Sequence, residues 1–210
     1  MGKSEFRYKV YDGKAIKEIF ENSRLIVLVL LFAGGIVAGS LVVKKDVGLI
    51  AETEELLMDY AMKKAGQGVF QNFKCSFLTN IVFISVTVFS AFSLIGYPLI
   101  LIVPFFKGLG MGLVSGYLYS AYKFMGLGYS LLMIYPGAIF SVIGLLIICN
   151  DCCEYSKNAY NKAILGRGHF EKNETKYFML RQLVFVTLSA VGAIIDGLCT
   201  ELFSGFFNFA

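Results

Sequence analysis

Tryptophan is missing from this chain, histidine occurs once, as His169, and charged side chains make up only 16% of the 210 residues. Each shortage excludes something. Without Trp, an aromatic belt at a membrane–water boundary has to be built from the 12 Tyr and 20 Phe. A single His leaves no Cys-His or His-Asp-Ser set for nucleophilic catalysis, and the sequence shows no paired acids and no metal-binding helix motif. An intramembrane peptidase needs a Ser with a His, or two Asp residues, whereas the apolar runs hold one Asp, Asp196. The sparse charge is well below the roughly one quarter usual in soluble domains. The five cysteines, Cys75, Cys149, Cys152, Cys153 and Cys199, are odd in number and irregular in spacing, so they are no disulfide framework. Three of them fall in Cys149-Asn150-Asp151-Cys152-Cys153, which reads either as a soft-metal or redox site or, better, as small residues at a helix end on the reducing side, since one His and two nearby acids make a poor ligand set. No catalytic residue, cofactor or metal ligand is assigned, and the chain reads as a non-enzyme.

What is present is apolar length. The chain is 57% hydrophobic with a mean hydropathy of +0.68. Five runs are long enough to span a bilayer at 1.5 Å per residue: 25–43, 75–95, 98–122, 124–149 and 183–207. The fold class is therefore all-α: one polytopic transmembrane helical bundle over 1–210. Ala38-Gly39-Ser40 resembles a signal cleavage site, but the leader and the apolar run before it are longer than a signal peptide's, so 25–43 is read as a span. With the N-terminus inside, segments 1–24 and 150–182 hold twelve Lys and Arg, while 44–74 with Lys123 holds six. Positive-inside bias then puts the N-terminus inside and the C-terminus outside. Residues 1–24 become a cytoplasmic arm, with Ile16, Ile19 and Phe20 on one helical face, either an amphipathic surface helix or a solvated tail. Residues 44–74 become an extracytoplasmic amphipathic segment that either meets a partner or packs on its own bundle, and 150–182 become a cytoplasmic loop. Lys and Arg flank the spans without forming a patch with interleaved aromatics, so no nucleic-acid surface is expected.

The central stretch runs from Ser93 to Tyr119. Thirty-two uncharged residues, Cys75 to Phe106, precede Lys107, and Gly108, Gly112 and Gly116 follow at every fourth position. Gly96 and Pro98 allow a sharp break, either a turn between spans or an interruption inside the membrane. Pro136 is expected to kink the fourth span. Glycine every fourth residue bares a helix face for close packing, as does the pair Gly35 and Gly39 in the first span. Lys107 and Asp196 come to roughly 14 and 20 Å from the inner edge of their spans. Charges at such depth are costly alone, so the two are expected to form an intramembrane charge pair, acting as a clamp between spans three and five or as a coupling site.

Ser93, Leu94, Ile95, Gly96 and Pro98, then Phe106, Lys107, Gly108, Gly112, Gly116 and Leu118, resemble the core motif of the stage II sporulation protein M family. Pro136 and the acidic residue Asp196 also resemble features of that family; the proline it carries shortly after that position is missing here. The resemblance implies a non-enzymatic multi-pass protein of the bacterial cytoplasmic membrane. It implies a scaffold that assembles peptidoglycan-degrading partners, the stage II sporulation proteins D and P, during engulfment in endospore formation. Besides membrane lipid and these partners, the glycine faces leave a homo-oligomer open. The second reading is a membrane subunit of a transporter or channel, with an ATP-binding cassette partner, in which Lys107 and Asp196 line the path.

Overall fold

The computed structural model describes residues 23–43, 63–64, 66, 68–93, 96–163 and 172–204, with side chains of the last segment from residue 175. Residues 1–22 of the expected N-terminal arm lie outside the described residues, as do most of the 44–74 segment and residues 164–171 of the expected inner loop.

All regular structure among the described residues is helical. The elements are α1 (Ser23–Val43), α2 (Val69–Ala91), α3 (Gly96–Tyr129), a π-helical turn (Ser130–Ile134), α4 (Tyr135–Ala163) and α5 (Lys172–Ser204). Four helical runs are long and apolar enough to cross a membrane: Ser23–Val43, Val69–Ala91, Gly96–Lys162 and Thr175–Phe203. The expected runs 98–122 and 124–149 therefore belong to one continuous stretch of 67 residues. That stretch doubles back at Lys123, whose φ of 50° makes it the one non-glycine residue with positive φ among those described. Three residues on, a methyl group at Gly126 would strike the carbonyl of Leu118, so α3 folds against itself. Further along, the hydroxyl of Ser115 lies 3.3 Å from that of Tyr135, and Ser156 donates to the Ser93 carbonyl at 3.4 Å. The two arms thus run antiparallel over their whole length.

The break near Gly96 is a reversal between α2 and α3. The Gly96 amide donates to the Ser93 carbonyl at 3.0 Å. A methyl at Gly96 would overlap the carbonyl of Ser90, which explains glycine there. Pro98 sits in the first turn of α3, where a missing amide hydrogen goes unnoticed. Pro136 acts one turn earlier than a simple kink would. The Tyr135 amide reaches back to the Ser130 carbonyl, five residues away, and the widened turn absorbs the bond that proline cannot make.

Two glycine faces meet. Methyls at Gly35 and Gly39 would strike the backbone at Phe105 and Leu109; methyls at Gly108 and Gly112 would strike the carbonyls of Phe32 and Ile36. Gly116 continues the seam beside Ser40. Residue numbers rise together on both sides, so α1 and the first arm of α3 are parallel. Only hydrogen at these positions allows the backbones to touch.

The outer surface is apolar and the interior partly polar. Phe70, Phe89, Phe124, Leu183 and Leu202 are exposed, while Asn72, Asn80, Thr87, Ser130, Gln182, Asp196 and Thr200 are buried. This is the inverse of a soluble domain and suits a lipid surround. Cys149, Cys152 and Cys153 are thiols in the main core with Ile84, Ala91, Leu145 and Phe178. They do not mark a helix end, because α4 runs on to Ala163, as the spacing of Tyr155, Ala159 and Lys162 suggests.

Gly34 offers a built-in control, since a methyl there meets nothing within 4 Å. Gly35→Ala is expected to destabilise the protein by about 1–3 kcal/mol through overpacking, while Gly34→Ala leaves the thermal midpoint in detergent unchanged. Equal effects at the two neighbours would contradict the seam.

Candidate functional site

The polar interior gathers around one cavity of about 320 Å³ between α2, α3, α4 and α5. Helix α2 contributes Asn72, Ser76 and Asn80, spaced by four residues and so stacked on one face. Lys107 comes from α3, Gly137 and Ser141 from α4, and Asp196 from α5; Lys63 and Lys64 close one end.

Asp196 has two side-chain partners. One oxygen accepts from the amine of Lys64 at 2.8 Å, and the other from the hydroxyl of Ser76. Both charged side chains are only 7% exposed, which removes most solvent screening from the pair. Asn72 donates to the backbone carbonyl of Lys64 at 2.9 Å, so the backbone at Lys64 is held as well as its amine. Thr200 bonds the carbonyl of Asp196 at 2.7 Å. Gly137 makes room: a methyl there would overlap Cα and Cβ of Asp196, so α4 and α5 approach closely at this level. The loss of fit around the carboxylate would follow from any larger residue at that position.

Lys107 does not pair directly with Asp196. Its amine donates to Oδ1 of Asn80 at 2.9 Å and stands 5.0 Å from the centre of the Phe83 ring. The two residues share a cavity, but the ion-pair partner of Asp196 is Lys64. The physical reason is position: Lys64, from the segment before α2, holds its amine 2.8 Å from the carboxylate, while the Lys107 amine is bonded to a neutral amide and stands over a π-face. Lys64 was concealed in sequence by a neutral segment of five Lys and five acids. The stripe Asn72, Ser76, Asn80 carried a readable signal, polar residues every fourth position at the start of an apolar helix.

At the other end of the bundle, Arg181 pairs with Asp151 at 3.0 Å, and Arg24 lies 3.7 Å from Glu154. Arg181 is 65% exposed, so this pair contributes little. Among the described residues, no three His, Cys, Asp or Glu side chains cluster as a metal site.

A family model, Stage II sporulation protein M, matches residues 28–201. No curated protein matches the chain, and no solved structure does.

Removing one member of the buried pair strands the other. Lys64→Met or Asp196→Leu alone is expected to cost about 3–5 kcal/mol, and the double change to recover much of that loss. Combining Lys107→Met with Asp196→Leu should recover less. Thermal unfolding in detergent, with accumulation in the membrane, measures all four.

Proposed function

The chain belongs to the stage II sporulation protein M family, and we propose that this membrane protein is a non-enzymatic scaffold presenting its outer segment to peptidoglycan-degrading partners. By family resemblance those partners are the stage II sporulation proteins D and P, and the setting is engulfment at the bacterial cytoplasmic membrane. The reading takes the bundle as five crossings with the N-terminus inside and the C-terminus outside. The parallel course of α1 and the first arm of α3, with α2 antiparallel between them, supports this arrangement. So does the two-to-one excess of Lys and Arg in segments 1–24 and 150–182 over 44–74 with Lys123.

The observation that carries the reading is the buried pair of Lys64 with Asp196. In the proposed orientation Lys64 lies late in the outer segment and Asp196 lies in the outer half of the last helix. The pair and the Asn72 bond then fasten the segment to the bundle at Lys64. A partner meeting a fastened segment loses less freedom on binding than one that must order it. A second reading, a transporter or channel subunit, is favoured by the shared cavity of Lys107 and Asp196. One charge pair and no internal repeat make it the weaker of the two.

A photo-crosslinker placed at Leu57, in the outer segment, is expected to capture cell-wall hydrolases in sporulating cells, and one at Tyr160, on α4, is not. Capture should fall in the Asp196→Asn variant at matched protein level. Capture of an ATP-binding cassette subunit at Tyr160 with none at Leu57 would favour the transport reading instead.

A further inference from the structure

Three lysines, Lys63, Lys64 and Lys107, line the cavity with one acid, Asp196, so its charges do not balance even though Asp196 also acts on Lys107 through space. Lys64 and Asp196 cancel as an ion pair. Lys107 stands on the same wall, and its contacts are a neutral amide oxygen and an aromatic ring. An ammonium group has three N–H donors and accepts nothing, so one bond to Asn80 leaves donor capacity unused. The orientation of Asn80 is set by the same bond: its oxygen faces the amine, which leaves its Nδ2 group as a donor. A cation and an amide donor therefore sit side by side on the cavity wall. A positive charge within a lipid-embedded bundle is expensive without an anion or water.

The remaining wall is of another kind. Met111, Ile134, Ala138 and Ala193 line it with apolar surface. The volume of about 320 Å³ is far more than one or two waters fill and is at the small end for organic ligands. Cys75 and Thr79 line the cavity and are exposed on α2, so it opens at that helix.

We propose that this cavity binds the head of an anionic amphiphile, a phosphate- or carboxylate-bearing molecule with an apolar tail, with Lys107 as its anchor. The anion takes the free donors of Lys107 and the amide of Asn80. The first part of the tail lies on Met111, Ile134 and Ala138 and leaves beside Cys75 and Thr79. A small inorganic anion would satisfy Lys107 but leave the apolar wall uncovered. This inference stands whether or not the outer segment recruits hydrolases.

The test uses the full chain purified in a non-ionic detergent, with thermal midpoint and lipid retention in native mass spectrometry as readouts. The probes are phosphatidylglycerol, phosphatidylcholine, and inorganic phosphate at matched ionic strength. Phosphatidylglycerol is expected to raise the midpoint and to be retained, while the other two are not. Lys107→Met should weaken the phosphatidylglycerol effect by about tenfold or more, the loss of one charge-assisted contact, and Lys107→Arg should keep most of it. Met111→Trp, which fills the apolar wall and leaves all three lysines in place, should also block retention, and it decides the matter should Lys107→Met not fold. Equal retention of phosphatidylglycerol by wild type and Met111→Trp, or no retention by wild type, overturns the proposal. A midpoint shift from phosphate as large as that from phosphatidylglycerol overturns the amphiphile.

Discussion

A carboxylate inside a helical bundle has to be met by a cation and by hydrogen-bond donors, or it cannot stay charged. Asp196 meets both demands at once, through the Lys64 amine and the Ser76 hydroxyl. The consequences spread outward from that point. Gly137 is required because α4 must pass close to Asp196, and the π-turn ahead of Pro136 accommodates the proline one residue before that contact. Asn72 holds the backbone of Lys64, which brings the chain before α2 onto the bundle. Three helices and one incoming segment are therefore arranged around a single buried charge. Such a pair need not add net stability over an apolar substitute, but a bundle built with one half of it cannot tolerate losing the other.

The second constraint is steric and independent of the first. Lipid gives apolar helices little reason to leave it for one another, so close backbone packing must supply the association. The seam between α1 and α3 does this with glycine on both sides, at 35 and 39 against 108, 112 and 116. The seam runs along one side of α3 while Lys107 faces the cavity on another. A helix that must touch a neighbour and carry a charge inward has few positions left for bulk.

Much of the fold could be read from residues alone. Long uncharged runs mark the helices, because a backbone in lipid has to satisfy its own hydrogen bonds. Glycine every fourth residue marked both faces of the seam, although nothing in the spacing said that the two faces meet each other. Gly96 and Pro98 marked the first reversal. The second was harder: Lys123 is neither Gly nor Pro, and the reversal rests on one residue with positive φ. The cavity was half legible. Lys107 and Asp196 stood out as charges in apolar runs, and both line it. Their partners did not stand out. Lys64 is one lysine among several in a charge-balanced segment, and Asn80 is a neutral residue within a span. Pairing depends on which amine the fold places within reach of the carboxylate, a three-dimensional property that spacing along one helix does not encode.

The central claim is that the cation on Asp196 is Lys64. An apolar carbodiimide, which enters the bilayer and activates buried carboxyl groups, tests it in native membranes. The activated Asp196 should be captured by the nearest amine with release of the urea, and peptide mass mapping should find an amide joining Lys64 to Asp196, one water lighter than the two free side chains and absent in Lys64→Met. An amide joining Lys107 to Asp196 in the wild-type protein, with none at Lys64, would contradict the account.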